Sequence, residues 1–233
     1  MIYPYTAALQ ITLAALSFVS VIYLWGRKKD HRADFLLDSY FNWFLFFFLY
    51  NILLILPLVI FDELNVATGI FFASAMIFLG LATWHAVRFI LSFIIVAESR
   101  RRFFATLYLI GVLMAALLFF VFPEVPTGSP DRNWVFWYGN RTVALIYSAF
   151  MFIAGWTFAF GNLRSISALN SAILRSRALF YALAGFTLPF AAFFYFGVKE
   201  VRDLQIASAI SIVGLTLFVL GNNFIGILLN RKA

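Results

Sequence analysis

The sequence predicts an all-α, polytopic membrane protein, a bundle of seven transmembrane helices with the N-terminus outside and the C-terminus inside. Three observations predict it. Of 233 residues, 64% are apolar and 12% are charged, with mean hydropathy +0.96; a soluble domain is roughly half apolar and about a quarter charged. Apolar runs near the ~20 residues that cross a bilayer recur along the chain, at about 4–25, 35–61, 68–97, 103–122, 142–163, 178–198 and 204–229. The basic residues between these runs alternate in density from one side to the other. No intervening segment approaches the ~50 residues of a small domain, so residues 1–233 read as one membrane domain.

Span 1 carries Thr6, Gln10, Ser17 and Ser20 on one face at helical spacing. No basic residue precedes it, and Arg27, Lys28, Lys29 and Arg32 follow it. A secretory signal peptide is positive first, so this is an uncleaved span. Span 2 has Asp34 and Asp38 at its inner end, Asn42 above them, Tyr50 and Asn51 near the midplane, and Pro57 near its outer end. Span 3 carries Ser74, His85, Arg88 and Ser92 on one face and runs into Glu98, Arg100, Arg101 and Arg102. Span 4 has only Thr106 and Tyr108 as hydrogen-bonding side chains. It is expected at the bundle periphery or as a connector.

Pro123, Pro126, Gly128 and Pro130 argue against regular structure in the long outer loop. Trp134, Phe136, Trp137 and Tyr138 behind them read as an interfacial aromatic belt. The alternative is an aromatic lid over an outward-facing pocket. Span 5 places Ser148, Gly155 and Asn162 seven apart on one face, with Trp156 and Thr157 beside it. The segment 164–177 has Ile166, Leu169 and Ile173 at helical spacing, for a surface helix or a helical extension. Span 6 carries Tyr181, Thr187, Pro189 and Tyr195; span 7 carries Ser208, Ser211, Thr216, Asn222 and Asn223.

Charge sets the predicted orientation. Twelve basic residues fall inside: Arg27, Lys28, Lys29, Arg32, Arg100, Arg101, Arg102, Arg164, Arg175, Arg177, Arg231 and Lys232. Four fall outside: Arg132, Arg141, Lys199 and Arg202. The positive-inside rule then gives N-outside, C-inside. The net charge of +7 is thus a topology signal, and nucleic acid is dropped as a partner. The inner basic residues imply contact with anionic lipid headgroups.

A charged side chain deep in a span costs ~2.5 kcal/mol upwards and is a functional hypothesis by default. Arg88 is that residue here, with His85 one turn above it. Asn222 and Asn223 in span 7, and Trp156 and Thr157 in span 5, fall at similar depth, with Asn51 near the midplane in span 2. These residues define the expected ligand site. In the plainer reading Arg88 snorkels to Asp38 or Glu98 and clips helices together, His85 is a packing histidine, and the two asparagines are interhelical glue.

The absences narrow the chemistry. Span 7 has no lysine for a retinal Schiff base. No carboxylate lies deep in any span, against proton-driven transport and acidic-ring channels. There is no cysteine, and His31 and His85 are the only histidines, without HExxH or HxxxH spacing. No nucleophile–base pair stands out, so no enzyme activity and no cofactor are expected.

The seven-helix plan resembles that of G-protein-coupled receptors. However, Glu98-Ser99-Arg100 stands where those have acid–Arg–aromatic, and Asn222-Asn223-Phe224 where they have Asn-Pro-x-x-Tyr, which excludes close kinship. The plan also resembles the seven-helix sensor modules of bacterial signalling proteins. That resemblance implies an output domain, supplied by a cytoplasmic or membrane partner or by further chain. With a bland span 4 and Pro57 and Pro189 in corresponding segments, it is similar, too, to the three-plus-one-plus-three plan of SWEET-type sugar transporters. The leading expectation is a receptor- or sensor-like module binding a small anionic or amphipathic ligand or a lipid at His85 and Arg88. The alternatives are a uniporter for a small polar solute and a structural subunit of a membrane complex.

Overall fold

The computed structural model describes residues 3–30, 35–138, 140–167 and 169–221. Among them are seven helices: α1 (Pro4–Asp30), α2 (Phe35–Ile60), α3 (Val66–Ile94), α4 (Glu98–Val121), α5 (Arg141–Ile166), α6 (Ala172–Tyr195) and α7 (Val201–Val219). Each is long and apolar enough to cross a membrane, so the chain has the build of a multi-pass integral membrane protein. Within the segment 164–177, residues 164–166 extend α5 and residues 172–177 open α6.

Two ends of the bundle differ in chemistry. Arg27 and Lys28 of α1, Arg100–Arg102 of α4, Arg164 of α5 and Arg175 and Arg177 of α6 gather at one, the basic end. The long connection between α4 and α5 lies at the other, the loop end. At the basic end Lys28 pairs with Asp38, tying α1 to α2, and Arg102 pairs with Glu98 within α4.

Six helices form a closed ring. α1 packs on α2, α2 on α3, α3 on α5, α5 on α6, α6 on α7, and α7 returns to α1. α4 sits outside the ring against α3 and α5. Its outward face is Phe103, Phe104, Leu107, Ile110, Met114 and Leu117, all exposed. Its polar tie is Tyr108, whose hydroxyl bonds to Thr83 Oγ1 of α3 at 3.0 Å and to the Phe150 carbonyl of α5 at 3.1 Å. The least polar span is thus the one the ring does not need.

Lipid tails are as apolar as leucine, so helices associate by close packing of small residues. The α5–α6 crossing shows this most sharply. A Cβ on Gly155 would lie 2.2 Å from Pro189 Cγ and 2.6 Å from the Gly185 carbonyl oxygen, and a Cβ on Gly185 would lie 2.8 Å from the Gly155 carbonyl. The two backbones touch because neither residue has a side chain.

The loop between α4 and α5 departs from expectation. Thr127–Gly128 (β1) and Val135–Phe136 (β2) form a two-residue antiparallel ladder. The prolines leave those four residues free to pair. Asp131 fixes the turn: it accepts from the Ser129 hydroxyl, from the Asn133 amide at 3.2 Å and from Asn133 Nδ2 at 2.8 Å. These bonds, Ser129's first, hold the exposed Asp131 carboxyl below its ordinary range. The belt reading also fails for the end of this segment. Val135, Trp137 and Tyr138 are buried, and Trp137 stacks on Phe72 of α3 with ring centroids 5.8 Å apart. An indole that has this stacking partner and a polar acceptor beside it has no need of the bilayer interface.

The loop also completes the helix ends. The Tyr5 and Thr6 amides, in the first turn of α1, both donate to the Asn133 carbonyl at 3.2 Å. Thr6 Oγ1 accepts from the Val135 amide at 2.9 Å. First-turn amides have no partner within their own helix, so the loop is the cap of α1. Tyr138 donates to the Phe122 carbonyl at 2.5 Å; burial, and then the Glu124 carboxylate, push its phenol up to about 12.

One prediction concerns the α5–α6 crossing. Gly155→Leu should lower stability by at least about 1–3 kcal/mol, the usual cost of overpacking. Gly26→Ala, where the added carbon meets nothing within 4 Å, should be neutral or stabilising by up to ~1 kcal/mol. Denaturant titration of both variants in the same detergent checks the contrast.

Candidate functional site

Among the described residues, those expected at the site do not gather at one place. His85 is buried on α3, its ring stacked on Phe46 of α2 at 5.5 Å and meeting Trp84 edge-on at 4.6 Å. The Arg88 guanidinium lies over the Phe35 ring of α2 at 4.6 Å and the Trp84 ring at 5.6 Å. Both therefore occupy the α2–α3 seam. Among the described residues Arg88 forms no ion pair. Asp38 is engaged by Lys28 and Glu98 by Arg102, so the expected clip to either carboxylate is not made. Aromatic faces take its place, worth about 0.5–2 kcal/mol.

Asn51 is buried in α2, and its Nδ2 donates to the Phe47 carbonyl one turn back at 2.7 Å. Trp156 does not join His85. It is 43% exposed and turned away from the ring, meeting Phe152 edge-on. The helical rotation that buries Ala154 and Phe158 on α5 puts Trp156 on the outward side, and Thr157 is half-buried. Asn222 and Asn223 lie outside the described residues.

What the ring does enclose is a different site. A partly open cavity of about 110 Å³ lies within it. Its walls come from all six ring helices: Gln10 of α1, Trp43 and Tyr50 of α2, Thr83 of α3, Met151 and Gly155 of α5, Leu188 and Pro189 of α6, and Ser211 and Phe218 of α7 among them. No lining residue is charged. His85, Arg88, Asn51, Trp156 and Thr157 are not among them. On α3 the cavity meets Leu79, Thr83 and Ala86, a face turned from the one that carries His85 toward Phe46.

Toward the loop end the lining turns polar. Gln10 lies six residues into α1, about 9 Å along it at 1.5 Å per residue. Its Nε2 donates to the Tyr195 hydroxyl of α6 at 2.6 Å. The buried Trp137 indole N–H donates to the same oxygen at 2.7 Å. One phenol oxygen thus joins α1, α6 and the loop. Gln10 is 1% exposed, and its Oε1 has no hydrogen-bond partner among the described residues. A buried amide oxygen left unpaired costs ~1–3 kcal/mol; Asn51 Oδ1, Trp84 Nε1 and His85 Nδ1 are buried and unpaired likewise among the described residues, and Gln10 is the one of the four that lines the cavity.

The sequence held signals for this site. Gln10 is the one amide in span 1, and Tyr195 is one of two tyrosines in span 6. Both are uncharged, and a search led by charge passes over them. Trp137 looked like belt because its depth was set by a loop whose path the sequence does not show.

The chain matches no protein-family model and no curated protein. The functional reading therefore rests on the geometry.

A double-mutant cycle tests the placement of Arg88. The Arg88–Asp38 coupling, from Arg88→Leu and Asp38→Asn, should fall within about 0.5 kcal/mol of zero. The Lys28–Asp38 coupling should be favourable at about 0.2–1 kcal/mol, as for partly exposed pairs. A large Arg88–Asp38 coupling would restore the clip.

Proposed function

We propose that this chain is a receptor- or sensor-like membrane module that binds a small ligand inside its helical ring. The observation that carries this reading is that one cavity is lined by all six ring helices. A molecule held there touches every element of the ring and can favour one relative arrangement of those elements over another. A ligand shifts an equilibrium only by its differential affinity for the two states, and a site shared by six helices maximises the contacts in which they can differ.

The ligand is received at the uncharged cavity, not at Arg88. Arg88 and His85 serve the α2–α3 seam that leads from the cavity toward the basic end. The basic end faces the cytoplasm, in keeping with the positive-inside rule. There it meets anionic headgroups and passes a helix shift to a partner. Pro57 in α2 and Pro189 in α6 free backbone groups where such shifts are accommodated. The reading includes no catalytic step and no cofactor.

Native mass spectrometry of the gently purified protein, paired with flux assays in liposomes, tests this. The wild type should carry or take up a defined small-molecule adduct. Ala154→Phe, which places a ring in the cavity, should lose it, and liposomes with wild-type protein should show no flux of that molecule. Flux abolished by Ala154→Phe would make the chain a facilitator. Absence of both adduct and flux, with co-purifying partners, would make it a complex subunit.

A further inference from the structure

We infer that the cavity takes a neutral, lipophilic molecule with a single oxygen function, a hydroxyl or a carbonyl, held between Gln10 and Tyr195. This rests on the receptor reading above and names the ligand class of that site.

The hydrogen-bond inventory at Tyr195 is the basis. Its phenol oxygen accepts from Gln10 Nε2 at 2.6 Å and from Trp137 Nε1 at 2.7 Å. An indole N–H is a donor only, and a phenol has one hydrogen of its own to give. With both neighbours donating to it, that hydrogen has no acceptor among the described residues. Gln10 Oε1 is likewise buried with no donor. The pair therefore leaves one donor and one acceptor unfilled at the polar end of the cavity. A hydroxyl satisfies both at once, accepting from Tyr195 and donating to Gln10. Turning the Gln10 amide over lets Tyr195 donate to Oε1 and presents Nε2 to the cavity, which suits a carbonyl. In either arrangement the site holds one uncharged oxygen.

The rest of the lining excludes other classes. Leu9, Leu13, Phe47, Phe158, Leu188 and Phe218 make the walls apolar. An anion or cation would be stripped of water with no counter-charge in the lining, a large cost. Beyond Gln10 and Tyr195 the polar side chains of the lining are Trp43, Tyr50, Thr83 and Ser211, set singly in otherwise apolar walls. Size sets the scale, because an engineered apolar cavity of about 150 Å³ takes benzene. At about 110 Å³ this cavity holds a ring or short chain of that order, with any longer tail leaving through the open side.

The test uses wild-type protein in nanodiscs and four probes of similar bulk: cyclohexanol, cyclohexanone, methylcyclohexane and cyclohexanecarboxylate. Saturation-transfer NMR reads binding, with protein-free nanodiscs subtracting partition into lipid. Cyclohexanol or cyclohexanone should bind saturably, ahead of methylcyclohexane, and the carboxylate should not compete. Gln10→Met and Tyr195→Phe, both close in volume to the native residue, should each weaken that binding roughly 3- to 10-fold, the worth of one hydrogen bond, and leave methylcyclohexane unchanged. Equal binding of all neutral probes, unaffected by either variant, overturns the oxygen-anchor inference and leaves the receptor reading standing. Preferential binding of the carboxylate overturns the inference as well. Absence of saturable binding by any probe to folded wild type overturns the inference, and the receptor reading then stands or falls by its own adduct test.

Discussion

The Tyr195 hydroxyl is the point on which the loop end of this molecule depends. It receives Gln10 from α1 and Trp137 from the loop while itself belonging to α6. Hydrogen bonds in a low-dielectric interior are stronger than in water, and unpaired groups there cost more. Around this point the loop caps the first turn of α1 through Asn133 and Thr6, and Trp137 fills the space against Phe72. Helices joined mainly by packing gain from this a fixed closure at one end. The opposite end is held by the Lys28–Asp38 pair and carries the cluster of basic side chains on α1, α4, α5 and α6.

Between the two ends the ring combines tightness and space. The α5–α6 seam is so close that Gly155 and Gly185 bring their backbones into contact, yet Gly155, Gly185 and Pro189 also border the cavity. The cavity is consequently flanked by an interface in which a small shift is felt at once. α4 stands outside and contributes nothing to the lining, which suits an element that braces α3 and α5 through Tyr108 rather than one that moves with a ligand.

Much of the fold was legible because the bilayer imposes a length. Seven apolar runs became seven helices, and the starts of α3 and α5 are capped by Asn65 and Asn140, whose side chains accept from the Thr68 and Val143 amides. The site was less legible, because depth can be counted along a helix while azimuth cannot. His85 and Arg88 were singled out by charge, and the structure gives them aromatic neighbours on the α2–α3 seam. Trp156 lies on the outward side of α5, away from the ring interior. Gln10 and Tyr195 lie far apart in sequence, and what joins them is ring closure between α1 and α7 and the path of a loop. Neither leaves a periodic trace.

The account's central claim is that the loop enters the bundle and rests on Tyr195. The most direct test is a variant retaining Trp137 as its single tryptophan, reconstituted in lipid, with its fluorescence quenched in turn by aqueous iodide and by brominated lipids. The account predicts that neither quencher reaches the indole and that Tyr195→Phe shifts its emission. Strong quenching by interfacial brominated lipid would place Trp137 in an aromatic belt at the membrane surface, and the Tyr195-centred site described above would be wrong.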